Sequence, residues 1–207
     1  MKRKTIGLVS LILGLILGVS NVFAQGQKGI DIIGFYGYTF GGKVSGFDGE
    51  INIKDSDAFG VAIDIDMPMK EGVQLELFWY QQPTTVTLRY FNPNIENRTE
   101  EVNVNYLQIG GVMGMQQDNI HPYGTISLGA AVYSPKDSRY SDTWRFAATL
   151  GLGAKIYLGE RIGIRVDGRL LFPFTGVALG FGTGGASFGA TSAIIQGNVN
   201  AGLILSL

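Results

Sequence analysis

The sequence contains no cysteine, one histidine (His121) and no appreciable excess of charge: 16 Lys and Arg stand against 17 Asp and Glu in 207 residues. Without cysteine there is no disulfide-stapled mini-protein and no thiolate metal centre. A lone histidine leaves metal sites and Ser/His/Asp constellations short of ligands and partners. The near balance of charge removes the electrostatic footprint expected of a nucleic-acid binder, so no nucleic acid is expected as a partner. Charged residues are also few, 16% of the chain against roughly 25% in soluble domains. Mean hydropathy is positive at +0.19, which excludes a solvated disordered chain. Beyond the N-terminus no segment supplies the ~20 consecutive apolar residues of a spanning helix. What is abundant is glycine, 31 residues, near twice the ~7% of ordinary usage and without a collagen period.

The chain opens on an export signal. Lys2, Arg3 and Lys4 precede an apolar run from Ile6 to Val19, and Val22-Phe23-Ala24 presents aliphatic or small residues where a signal peptidase reads. Gly7, Gly14 and Gly18 argue for a cleaved signal over a retained anchor. Cleavage between Ala24 and Gln25 is expected, with residues 1–24 as signal peptide and 25–207 as the mature domain. That removes three of the 16 basic residues, leaving 13 against 17 acids and a net charge of −4.

The remainder alternates with period two, the signature of strands whose successive side chains face opposite sides. From Ile162 to Phe172 one face carries Ile162, Ile164, Val166, Gly168, Leu170 and Phe172, the other Arg161, Arg165, Asp167 and Arg169. Similar runs occupy Phe59–Met67, Val73–Tyr80 and Trp144–Leu158, with weaker ones at Ile30–Phe40, Val102–Met115, Tyr123–Tyr133 and Ile195–Leu207. Eight strands are therefore expected. Parity slips in Val102–Met115, at Leu107 and Gln108, where a bulge is expected.

The connections alternate as well. Short turns fall at Pro68–Gly72, Gln116–Pro122 and Gly159–Glu160; long links fall at Gly41–Asp57, Pro83–Glu101, Ser134–Thr143 and Pro173–Ala193. Short on one side and long on the other is the pattern of an up-and-down outer-membrane barrel with periplasmic turns and external loops. Phe40, Phe59, Trp79, Trp144 and Phe172 then lie at the loop-side end of their strands, where an interfacial aromatic girdle is expected. Alternation alone leaves open which face is inside, so a soluble barrel of lipocalin type remains the competing architecture. Uneven connections, aromatic ends and low charge favour an all-β, eight-stranded antiparallel up-and-down transmembrane β-barrel.

The residues also carry a family resemblance. Pro122-Tyr123-Gly124-Thr125-Ile126-Ser127-Leu128-Gly129 and the segment Gly151–Arg161 resemble the paired hairpin strands of small bacterial outer-membrane β-barrel proteins, those similar to the OmpX/OmpA barrel and the porin-family barrel domain. The resemblance covers residues 29–207. Asn200, Gly202, Leu203, Leu205 and Leu207 resemble the family's C-terminal assembly signal, although many members end in phenylalanine. It implies the outer membrane as location, with membrane lipid, lipopolysaccharide and the barrel-assembly machinery as partners. No periplasmic domain is expected after the eighth strand, and any extracellular ligand is left unidentified.

No cofactor, metal or catalytic residue is expected. His121 lies in a proline-bounded turn at the end opposite the rim where lipid-modifying barrels hold theirs, so an enzyme is not the reading. Gly176–Gly189 lacks the Lys-Ser/Thr of a phosphate-binding loop and reads as a mobile surface loop. Asn97-Arg98-Thr99 matches a glycosylation sequon only by coincidence in this setting, and Asn92–Glu101 reads as a solvated loop. The chemistry that stands out is a set of charges on the polar faces: Asp64, Asp66, Glu76 and Asp167 with Arg145, Lys155, Arg165 and Arg169. An eight-stranded interior is just wide enough for side chains to fill, so these are expected to pair as a structural plug. The alternative is a narrow porin-like channel for ions or very small solutes.

Overall fold

In the computed structural model, residues 29–45, 49–68, 71–92, 96–115, 119–137, 139, 141–174, 177–182, 185–190 and 194–207 are described. The proposed signal peptide lies outside them. The strands are β1 (Ile30–Phe40), β2 (Gly42–Ser45), β3 (Gly49–Ile53), β4 (Ser56–Asp66), β5 (Val73–Tyr90), β6 (Arg98–Gly114), β7 (Ile120–Pro135), β8 (Thr143–Tyr157), β9 (Ile162–Pro173), β10 (Val177–Gly182), β11 (Gly185–Ala190) and β12 (Gln196–Ser206).

Eight of these make the wall. β1, β4, β5, β6, β7, β8, β9 and β12 pair antiparallel in that order, and β12 returns to β1 through Asp31↔Ser206 to Phe40↔Gly197. Closure leaves no wall edge unpaired, which removes the liability of an open sheet. The start of β1 and the end of β12 lie at the turn side, where Ile30 and Leu207 exchange backbone hydrogen bonds. At one tight turn there Gly72 has φ +74°, a conformation disfavoured for residues with a Cβ.

The structure resolves the inside-out question left by the alternation. Leu152 and Leu203 expose 74% and 68% of their surface on the outer face, whereas Asp64, Glu76, Lys155, Arg165 and Arg169 inside expose at most 3%. A soluble barrel would reverse that order. Phe40, Phe59, Trp79 and Trp144 face outward, with Phe59 and Trp79 edge to face at 6.2 Å.

Three expectations about the connections are corrected. The Pro83–Glu101 link is mostly strand: β5 and β6 pair without interruption from Val73↔Met113 to Leu88↔Arg98. Proline cannot donate to a ladder; Pro83 falls after the last β4 partner of β5, Gln81, and before the first β3 partner, Val86. Within Gly41–Asp57, β2 and β3 form a hairpin that extends the sheet along upper β5. In the glycine-rich segment β10 and β11 pair from Val177↔Ala190 to Gly182↔Gly185, a separate ribbon rather than an irregular loop. The expected bulge in β6 is absent too. Its inward positions are Val102, Val104, Tyr106, Gln108 and Val112 throughout, with Leu107, Ile109 and Met113 outward. Parity never slips; the chemistry of each face changes along the strand.

Candidate functional site

The interior is built by two opposed walls. On β1, β4 and β5, Asp31, Asp64 and Glu76 are direct cross-strand neighbours, Asp31↔Asp64 and Asp64↔Glu76. Like charges placed opposite one another destabilise a sheet, so this row needs compensation from elsewhere. It comes from β8 and β9, which lie across the barrel, where Lys155 and Arg165 are themselves cross-strand partners. Lys155 Nζ reaches Asp31 Oδ2 and Asp64 Oδ2, both at 2.8 Å. Arg165 contacts Asp64 at 3.1 Å, Glu76 at 2.6 Å and Asp167 at 2.8 Å. Arg169 contacts Glu76 at 2.8 Å and Asp167 at 3.2 Å.

Neutral groups add hydrogen bonds to several of these ions. The Tyr123 hydroxyl donates to Asp167 at 2.7 Å and accepts from Arg165 Nε at 2.6 Å. Asn200 Nδ2 donates to Asp167 Oδ1 at 2.9 Å. Thr125 and Ser127 hydroxyls donate to Glu76 at 3.3 and 3.4 Å, and Tyr157 and Ser206 hydroxyls to Asp31, each at 2.7 Å. The Arg169 guanidinium also sits 4.1 Å over the Phe78 ring. Glycine makes room for the cluster: a Cβ at Gly153 would lie 2.6 Å from both the Tyr123 hydroxyl and Asp167 Cβ.

Of the eight charges expected inside, six therefore meet in one network: Asp64, Glu76, Lys155, Arg165, Asp167 and Arg169. Two differ. Asp66 stands at the turn-side rim, where it accepts from Gln74 Nε2 at 2.8 Å and the Gly29 amide at 3.1 Å. Arg145 shares the inward parity of β8 but stands at the exposed loop-side mouth, beyond the layer of ions. Asp31 joins the network although its alternation partners, Ile33 and Phe35, disguise its face as apolar. The six charges with Asp31 comprise four carboxylates and three cations, and Asp64 Oδ1 has no hydrogen-bond partner among the described residues.

Towards the loops the interior changes character twice. First come aromatic rings and amides: Phe35 stacks on Phe78 at 5.3 Å, and Asn198 Nδ2 donates to the Tyr80 hydroxyl at 2.9 Å. In the same layer Tyr80 and Thr39 hydroxyls bond each other, and Tyr106 donates to Gln196 at 2.8 Å. Above lies an apolar layer of Val102, Val104, Ala131, Ala147 and Leu171, all buried. Asn200, Gly202, Leu203, Leu205 and Leu207 lie on or just after β12; Asn200 turns inward, while the leucines face outward. His121 lies in β7 rather than in the turn, its ring 4.9 Å from that of Tyr157. Among the described residues no group of three or more His, Asp or Glu is arranged to hold a metal ion.

No protein-family model matches the chain, and no curated protein does. Solved structures do. Neisserial surface protein A superposes with a TM-score of 0.57 at 8% identity, covering 87% of this chain and 99% of that one. This chain has the fold of a small outer-membrane β-barrel. The outer membrane protein OprG of Pseudomonas aeruginosa aligns at a TM-score of 0.50 and 10% identity, over 88% of this barrel and 97% of that chain. At such identities the likeness extends to the fold alone; the charge network belongs to this barrel's own residues.

Proposed function

We propose that the protein is an integral outer-membrane barrel with a structural plug in its lumen, acting through its external loops. The observation that carries this reading is the set of struts across the barrel: Arg165 of β9 bonds Glu76 of β5, and Lys155 of β8 bonds Asp64 of β4. A selective pore tends to carry rings of one sign, whereas here opposite signs are directly paired. Loops on a rigid scaffold are where binding residues concentrate, and this barrel supplies four links at that end.

In this reading the outer leucines and valines contact membrane lipid and lipopolysaccharide, and the export signal ends at Ala24. Asn200, Gly202, Leu203, Leu205 and Leu207 form the segment read by the barrel-assembly machinery. No catalytic step is assigned. Planar-bilayer recording of the purified barrel at neutral pH tests the plug. A closed barrel gives no steady unitary conductance; stable, well-resolved channels would overturn the reading and establish the narrow porin in its place.

A further inference from the structure

The loop-side mouth holds a cavity of ≈ 390 Å³ that the ion network does not use. Its walls are apolar, with Ile53, Val86, Leu88, Val102 and Ile194 among them. Deeper in the barrel stand the fully buried Val104, Ala131, Ala147 and Leu171. The cavity is thus a cup, with a packed layer between it and the polar interior. Its size falls in the range of small-molecule sites and corresponds to roughly 13 water-sized groups at about 30 Å³ each.

The charge on the rim selects among apolar ligands. The charged residues of the lining are Arg98, Glu100 and Arg145, formally one positive charge in excess. Arg145 is exposed, and no ion pair or side-chain hydrogen bond to it is formed among the described residues. Ser141 and Thr143, two hydroxyl residues, line the same side. A guanidinium without an ion pair among the described residues is suited to bidentate capture of a carboxylate.

We infer that the mouth binds a medium-chain alkyl monocarboxylate, its chain in the apolar cup and its carboxylate on the Arg145 guanidinium. A chain of about eight to ten carbons fills the available volume. The inference rests on the reading of the barrel as membrane-inserted and plugged, and names the class of ligand its external end takes. The packed layer makes this a binding site and not an entrance.

Titration of isotope-labelled barrel in lipid nanodiscs with octanoate, followed by amide NMR, tests it. Saturable shifts are expected at Arg145, Thr143, Val86 and Ile53, with a Kd of about a millimolar or tighter for a ligand of this size. Octanol and octyltrimethylammonium are expected to bind about tenfold more weakly, as lost hydrogen bonds to a charged group predict. Arg145→Gln is expected to bring octanoate down to the octanol level. Val86→Asp, which sets a like charge in the cup, is expected to abolish the shifts. Non-saturating shifts, or octanoate binding unchanged in Arg145→Gln, would overturn the inference. Insertion and conductance are measured on the same preparation. A barrel that inserts and stays closed but gives no saturable shift overturns the cup alone, while one that fails to insert or conducts steadily overturns the reading beneath it.

Discussion

Removing Arg165 is the most direct test of the interior as a load-carrying structure. Its guanidinium touches three carboxylates, Asp64, Glu76 and Asp167, at 3.1, 2.6 and 2.8 Å, and lies 4.9 Å over the Tyr123 ring. Arg165→Ala takes the network from four carboxylates against three cations to four against two. Breaking one side of a buried ion pair typically costs about 3–5 kcal/mol. No carboxylate is left wholly alone: Asp64 keeps Lys155, while Glu76 and Asp167 keep Arg169. The expected loss is therefore at the low end, about 3 kcal/mol. Urea unfolding of the barrel in lipid vesicles measures it, with Arg145→Ala as a control expected to unfold with the wild type. A double-mutant cycle with Glu76→Gln is expected to show at least about 1 kcal/mol of coupling, because the two side chains are in contact. A loss under about 1 kcal/mol for Arg165→Ala with no coupling would refute the claim that these struts hold the barrel together.

The same vesicle titrations check three further substitutions. Val166→Arg puts a charge on the lipid face and is expected to cost about 2–4 kcal/mol, whereas Asn103→Arg, outward but above the aromatic belt, is expected to be nearly neutral. Asp64→Asn is expected to cost less than Glu76→Gln, since Asp64 Oδ1 has no partner while Glu76 engages Arg165, Arg169, Thr125 and Ser127; the reverse order in unfolding midpoints refutes the assignment. At the surface, hydrogen bonding from Lys136 holds the Glu101 carboxyl below its ordinary value. The pair's small stabilisation is therefore present above that ordinary value and lost as pH falls through the lowered one. NMR titration is expected to return Glu101 to its ordinary value in Lys136→Ala and to show no change if the pair does not form.

Much of this fold was legible because period two survives almost intact along each strand, and closure follows from strand number and connection length. Face was readable; height was not. Arg145, Lys155 and Asp66 all have inward parity, yet register sets Arg145 opposite Ala131 near the mouth and leaves Asp66 at the rim. Alternation cannot report that, because it counts positions along one strand and carries no information on stagger between strands. Asp31 was hidden for a different reason: it shares a face with Ile33 and Phe35, and a single acid among apolar neighbours reads as noise. The row Asp31, Asp64, Glu76 exists only across strands, and so appears only once the register is known. The long β5/β6 hairpin is not legible because Pro83 reads as a strand stop, a rule that applies only where the strand faced by the proline nitrogen needs a donor.

The reversal of polarity within single strands has one physical origin. In β6, Leu107 and Ile109 face outward while Gln108 faces inward; a few residues further toward the loops, Val102 and Val104 face inward while Asn103 and Asn105 do not. In β5 the change occurs around Trp79, with Glu76 inside below it and Val86 facing the mouth cavity above. In the proposed membrane-inserted barrel, where lipid surrounds the wall, burying an apolar group inside gains nothing over leaving it outside, because both environments are apolar. Cohesion there must come from ion pairs and hydrogen bonds strengthened by the low dielectric. Above the belt the wall stands in water, and the hydrophobic effect again rewards apolar side chains inside. The aromatic residues Phe40, Phe59 and Trp79 mark the height at which the solvent changes, and the interior changes its chemistry close to the same height. That coincidence accounts for two features at once: a charged network in the membrane zone and an apolar cup at the mouth.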